Sequence, residues 1–427
     1  MGTNFRITTN GLYRTYRTNL NNNNKKLSDA MIGVETQRKF NSYAEDPAAA
    51  SKAWRLRRSY WRTGDQIDNN NYIISKYESA YSAMTAVIDG DTGNGEYGLG
   101  LDGILSSMKA VSDTSGSSRT ALGKELLQVA DNIVSMMNTK YGDEFVFSGA
   151  DGWNAPFAWS EDGTKLLYRG IDVSTPETKY TTADFGVTSE MLRMEDVRAQ
   201  NAGETDADYE SYKSEYLERN KQYSTFQEAQ SDYEKVTAYK NAKEHYETAH
   251  PKYSFEDALK LNDMAGETTY VDIGLGLQEN DDDKLIRGTA FNSAISGLKF
   301  LGHGEDKNLV MVIKELGTIF SNADPETGHF QQEGDRERVD VLFDKLQDVV
   351  RNAQDQHTQL SADAKYLKTN LKQLETVKSE LDKQIVDTED LDMADAITSQ
   401  TWAKYCYDAA LRIGTSILSQ SLIDYMS

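Results

Sequence analysis

Apolar residues return at every seventh position along the last hundred residues of the chain. Leu346, Ala353, Leu360, Leu367, Leu374 and Leu381 hold one position and Val349 and Val377 the intervening one. Leu391, Trp402, Tyr405 and Ala409 continue the phase, with Ile413, Ile417 and Leu422 beyond, and no proline follows Pro325. A 3.5-residue repeat held over so many turns predicts a coiled-coil helix, on the order of 130 Å long if unbroken, rather than a globular surface helix. One helix cannot bury its own stripe, so this pattern requires partners.

The N-terminal region supplies candidates. Tyr13, Leu20, Leu27 and Val34 occupy one heptad position and Tyr16, Asn23 and Ala30 the other. Four asparagines, Asn21 to Asn24, lower helix propensity in the middle, so this segment is expected to be ordered when packed. Asn23 reads either as a register-setting polar residue or as tolerated slack. The pattern breaks at Asn41, and Asp46 before Pro47 is placed as the N-cap of a new helix with proline at its first position. That helix carries a seam with steps of four and three: Leu56, Tyr60, Thr63, Ile67, Asn70, Ile74, Tyr77, Tyr81, Met84 and Ile88. Beside it, Trp54, Arg55, Arg57, Arg58, Trp61 and Arg62 read as a solvated helix face with a packed tryptophan in preference to a nucleic-acid site. Six glycines between Gly90 and Gly103 end the helix, and Leu122, Leu126, Val129, Ile133 and Met136 mark a further one.

From Tyr141-Gly142 the pattern changes. Phe145-Val-Phe147 and Leu166-Leu-Tyr168 are short runs bounded by Gly and Asp, which predicts strands and turns. Tyr209 to Tyr253 reads as a charged amphipathic helical insertion, exposed apart from one aromatic edge: Tyr209, Tyr216 and Tyr223, and on a second register Tyr212, Phe226 and Tyr233, are spaced by sevens. Asp281-Asp-Asp283 lacks the spacing of a calcium loop and reads as a solvated turn. Past Phe291 the helical pattern returns with Leu309, Val310, Ile313 and Leu316. The predicted fold class is mainly α: a long antiparallel helical bundle or coiled coil formed by the N- and C-terminal segments, with an inserted α+β middle domain.

Composition agrees with thin, long cores. Hydrophobic residues make up 38% of the 427 residues and charged residues 27%. The net charge of −22 argues against nucleic acid or an anionic membrane as the main partner, although residues 1–62 hold twelve Lys/Arg against four Asp/Glu. Cys406, the only cysteine, reads as a packed small hydrophobe, so no intrachain disulfide is possible. No stretch is apolar enough for a membrane span, and the first residues show no secretory signal and fail the myristoylation pattern at Arg6. His245 and His250 are wrongly spaced for a helical zinc pair, and no phosphate loop or nucleophile elbow occurs. No catalytic, cofactor-binding or metal-binding set emerges. The chain reads as an assembly protein and not as an enzyme.

Several segments are recognisable as a family pattern. Phe40 to Ala53, with Glu45-Asp-Pro-Ala-Ala-Ala-Ser51, resembles the start of the second helical region in the hook-associated protein 3 family, the hook–filament junction proteins of bacterial flagella. Asp390-Leu-Asp-Met-Ala-Asp-Ala-Ile397 through Met426 is similar to the terminus that this family shares with flagellin. Phe145-Val-Phe-Ser-Gly149 with Ala155-Pro-Phe157, and Gly288-Thr-Ala-Phe291 with Phe300-Leu-Gly302, resemble the entry to and return from the family's middle domain. The resemblance is weakest from 180 to 285. Flagellin is the alternative, but flagellins usually carry Gly-Asp-Asp-Ala-Ser-Gly where this chain has Ala44-Glu-Asp-Pro-Ala.

The resemblance implies axial terminal helices from 1–42 with 390–427, a helical bundle from 43–142 with 290–389, and an outer domain at 143–289. It implies an assembly seam of Tyr13, Tyr16, Leu20, Leu27, Val34, Trp402, Tyr405, Ala409, Ile413, Ile417 and Leu422. The bundle core would hold Leu56, Tyr60, Ile67, Ile74, Tyr81, Ile88, Leu346, Leu360, Leu367, Leu374 and Leu381. Expected partners are copies of the chain in a ring, the other junction protein, flagellin, and an export chaperone at the C-terminal region. The expected location is the extracellular flagellum, reached by type III export without a cleaved signal.

Overall fold

The computed structural model of the chain describes residues 9–90, 100–111, 116–200, 205–280, 285–286 and 288–426. Twelve α-helices are present among them: α1 (Thr9–Thr36), α2 (Pro47–Asp89), α3 (Leu101–Val111), α4 (Gly116–Met137), α5 (Thr182–Phe185), α6 (Asp206–Arg219), α7 (Phe226–Ala249), α8 (Phe255–Ala265), α9 (Gly297–Leu301), α10 (Leu309–Ser321), α11 (Asp335–Glu389) and α12 (Met393–Met426). The fold is mainly α, and the strands are two or three residues long. Asp281 to Asp283 and most of the glycine stretch after Gly90 lie outside the described residues.

The chain divides into two compact units. One comprises residues 1–68 and 370–427 and the other residues 69–369, so α2 and α11 each contribute to both. The start of α2 follows from its sequence, since Asp46 Oδ1 accepts from the backbone N–H groups of Ala48 and Ala49 at 3.1 and 2.9 Å. The end of α2 is set by Gly90, whose φ of +75° lies where only glycine is comfortable.

Along α2, Thr63, Asn70, Ile74, Tyr77 and Met84 are buried, and Leu56, Tyr60, Ile67 and Ile88 are half-buried. Tyr81 departs from the expected core. It is exposed, with its ring stacked on His357 at 4.3 Å. Trp54 and Trp61 also differ from the packed tryptophan expected. Both are more than 60% exposed, because the buried line passes through Ala53, Leu56 and Tyr60 and leaves positions 54 and 61 outside. Along α11, Leu346, Val349, Ala353, Leu360, Leu367 and Leu374 are buried and Leu381 is half-buried. Val377, expected on the seam, is exposed. A straight helix of period 3.6 drifts from a seven-residue repeat, and by this point Lys378 has moved inward, its Nζ lying 5.1 Å over the Tyr60 ring.

The larger unit is built on α4 packed against α10. Leu122, Leu126, Ile133, Val310, Ile313 and Leu316 are buried there, and Gly123 and Gly317 let the two backbones touch. A β-carbon on Gly123 would lie 2.3 Å from Ser321 N. The strand expected at Leu166–Tyr168 forms, whereas in Phe145-Val-Phe147 only Phe145 is in a strand and Val146 and Phe147 make the turn between two short strands. Glu144–Phe145 (β2) pairs with Lys140–Tyr141 (β1), Ser148–Gly149 (β3) pairs with the returning strand Ile295–Ser296 (β9), and Phe157–Trp159 (β4), Leu166–Tyr168 (β5) and Ile171–Asp172 (β6) make an antiparallel sheet. Tyr270–Val271 (β7) pairs with Phe291–Asn292 (β8).

The tyrosine-rich insertion is not the single amphipathic surface expected. It contains an internal repeat. Tyr216, Asn220 and Tyr223 recur thirty residues on as Tyr246, His250 and Tyr253. Asn220 and His250 cap α6 and α7 with similar backbone angles, and the next helix begins at an N-cap, Thr225 or Ser254, followed by Phe226 or Phe255. Each copy has its own core. One holds Tyr216, Ala229 and Val236 with Met191, Met194 and Val197; the other holds Tyr239, Tyr246, Phe255 and Ala258 with Phe185. In both, the first tyrosine donates its hydroxyl to the carbonyl of the preceding irregular segment at 2.7 Å, Tyr216 to Glu195 and Tyr246 to Pro176.

Candidate assembly interface

In the smaller unit α1 packs lengthwise and antiparallel against α12. Tyr13, Tyr16, Leu20, Asn23, Leu27, Ala30 and Val34 are all half-buried, while nearly every other described residue of α1 after Tyr13 is exposed. This is the seam read from the sequence. Asn23 donates from Nδ2 to the Cys406 carbonyl at 3.4 Å, a long contact that ties the polar seam position to the partner helix. At the far end Arg38 and Asp390 form an antiparallel bridge, Leu391 N donates to Gln37 O at 2.9 Å, and Lys39 N donates to Glu389 O at 2.7 Å. Arg57 is paired with the well-buried Glu389 carboxylate beside this junction.

The partner line on α12 is different from the one expected. Ala396, Gln400, Ala403, Tyr407, Ala410 and Gly414 are buried or half-buried, at alternating steps of four and three. Trp402, Tyr405, Ala409 and Ile413 lie on another side and are exposed, as is Cys406, which is therefore not a packed hydrophobe. The cause is a break between α11 and α12. Asp392 Oδ1 accepts from Ala394 N at 2.8 Å and starts a new helix, so the heptad count from α11 does not carry across. The small residues on this line let α1 come close, most tightly where Tyr16 meets Gly414. Ile417 and Leu422 lie where side chains are outside the described residues.

The pair therefore leaves a second apolar stripe in solvent. Trp402 and Tyr405 are about two-thirds exposed and Ile413 more than half, with Ile397 and Leu411 on the same helix and Met31 and Ile32 on α1 also open. Exposed aromatics at helical spacing mark a surface built for contact, because large contiguous apolar patches are uncommon on monomeric proteins. Among the described residues no group of His, Cys, Asp or Glu is placed to hold a metal, and no helix is long and apolar enough to cross a membrane.

Residues 7–91, which contain α1 and α2, match the family model of the bacterial flagellin N-terminal helical region. The N-terminal helical segment is flagellin-like. The match stops short of α12, the helix that this flagellin-like segment packs against. No curated protein matches the chain. A solved structure from Vibrio parahaemolyticus, provisionally described as a flagellar hook-associated protein, aligns over 81% of this chain and 100% of its own, with 13% identity and a TM-score of 0.46. That similarity is too low to carry over fold or role.

Proposed function

We propose that the chain is a structural subunit of the bacterial flagellum that joins hook to filament as a hook-associated protein 3. The observation that carries the reading is the exposed stripe Trp402, Tyr405 and Ile413 on α12, paired with a flagellin-like α1. A helix pair that buries alanines inside and leaves tryptophan and tyrosine outside is arranged to complete its packing with neighbours. In this reading those neighbours are copies of the chain in a ring, the other junction protein on the hook side and flagellin on the filament side. The C-terminal region also meets an export chaperone, and the subunit leaves through the flagellar type III channel to work outside the cell. It acts as a building block and not as an enzyme. Filament subunit is the second reading, favoured by the flagellin match at 7–91.

Gold labelling of an epitope-tagged chain along intact flagella separates the two. A single band between hook and filament supports the junction role, and decoration along the filament supports flagellin. Deleting residues 390–427 is expected to leave hooks without attached filaments and flagellin in the medium. Cells that keep full filaments would rule out the junction role.

A further inference from the structure

The smaller unit is electrically two-sided. Its N-terminal part, residues 1–68, carries twelve Lys/Arg against six Asp/Glu, and its C-terminal part, residues 370–427, carries five against ten. Arg57 and Glu389 pair across the two parts. Other charges on both sides face solvent instead. Lys52, Arg55 and Arg58 on α2, and Asp387, Asp390 and Asp395 at the passage from α11 to α12, are all exposed and make no ion pair among the described residues.

The cations of α2 stand among tryptophans. Steps of four and three put Trp54, Arg58 and Trp61 on one face, turned away from the inward line of Ala53, Leu56, Tyr60 and Thr63, with Arg55 and Arg62 beside them. The rings are braced: the Arg58 guanidinium lies over Trp54 at 5.6 Å, and Trp61 meets the edge of Tyr60 at 5.7 Å. Two tryptophans about two-thirds exposed and flanked by arginines have the composition of an interface centre, not of a solvated helix face.

The acidic counterpart is compact. Asp387, Asp390, Asp392 and Asp395 fall within nine residues at the α11/α12 corner, and all are exposed. Arg38 and Lys39 lie beside them, with Lys39 donating to the Asp387 carbonyl, so the corner stays acidic. The Arg57–Glu389 pair sets both features at one level along the helices, since the tryptophan face lies either side of Arg57 and the acidic corner either side of Glu389. Identical copies standing side by side at equal height therefore bring the basic face of one to the acidic corner of the next. Contact between two different patches is heterologous and propagates around a ring.

We propose that the Trp54–Arg58–Trp61 face of α2, with Arg55 and Arg62, docks on the acidic α11/α12 corner of a second copy of this chain, a contact that rests on the ring of copies in the reading above and names the two faces that meet. It is separate from the Trp402 stripe of α12. The tryptophans supply buried apolar area, and the opposite charges fix which neighbour fits and in which register.

The test uses the full chain with Cys406→Ser, since Cys406 is exposed. Two differently tagged copies are made together in one cell, one with Arg58→Cys and the other with Asp387→Cys, and isolated flagella are oxidised. A mixed dimer of the two copies, with no dimer when either is made alone, is the expected result of a heterologous contact. Arg55→Glu with Arg58→Glu should lower the amount of chain held in flagella about tenfold or more, and adding Asp387→Arg with Asp390→Arg should restore it. All four side chains are exposed, so circular dichroism of the purified variants should show unchanged helix content. Chain present in flagella without a mixed dimer, equal dimer yields from each copy alone, or no rescue by the second pair would overturn the contact and leave the ring reading standing. Capture of a different protein by the Arg58→Cys copy would overturn it by giving the face another partner. Absence of the chain from flagella would overturn both.

Discussion

The Tyr16 hydroxyl lies so close to Gly414 that a β-carbon added there would come within 1.9 Å of it. The contact fixes the register of α1 on α12 and makes glycine at 414 a packing requirement. Gly414→Val should therefore loosen the pair at a cost of about 1–3 kcal/mol. Faster amide hydrogen exchange along α1 and α12 is the expected readout, and Tyr16→Ala in the same chain should restore part of the protection. Unchanged exchange in Gly414→Val would mean that the tyrosine simply swings aside.

Leu367 on α11 is fully buried, while its neighbour Lys368 reaches out to Glu78 at 2.7 Å. Leu367→Asp places an uncompensated charge in the core and should cost about 3–5 kcal/mol. Lys368→Asp loses only an exposed ion pair and gains a repulsion with Glu78, about 1 kcal/mol or less. Thermal melts of the two variants should separate clearly, and coincident midpoints would refute the register of α11.

The same contrast explains what the sequence made legible. In α1 the inward positions carry the largest residues, so counting tyrosines and leucines found the face that packs. In α12 four of the six inward positions are small, Ala396, Ala403, Ala410 and Gly414 beside Gln400 and Tyr407, and the same count selected Trp402, Tyr405 and Ile413, which point elsewhere. The break was readable in principle. Asp392 before Met393 is the same kind of N-cap signal as Asp46 before Pro47, and taking it as a helix start would have reset the phase.

The thirty-residue repeat was hidden by a single offset. Tyr216 and Tyr246 match at thirty, but Phe226 and Phe255 are twenty-nine apart, and a seven-residue tyrosine spacing runs across the first copy. If the two copies are structurally equivalent, Tyr216→Phe and Tyr246→Phe should each cost about 1–2 kcal/mol, since each leaves a carbonyl, Glu195 O or Pro176 O, without its hydroxyl donor. Chemical denaturation of both variants checks this. A loss at one site and none at the other would show that the copies have diverged in energy.

Asp363 gives a prediction with a defined pH window. Burial raises its carboxyl pKa above the ordinary 3.8, even though Gln359 Nε2 donates to Oδ1 at 3.0 Å. A carboxyl whose folded pKa is raised favours the fold when protonated. Its penalty is absent below about pH 3.8, grows as pH rises toward the raised folded value and is complete once pH has passed it. Asp363→Asn keeps an oxygen for Gln359 and removes the charge, so it should raise Tm near pH 7 and give no gain near pH 3. His303 and His357, both lowered by burial, act on the other side. Their contribution is full above about pH 6.5 and fades as pH falls through the lowered values, equally in both chains, so it cancels in the comparison. A gain of the same size at both pH values would assign the effect to packing and not to the buried charge.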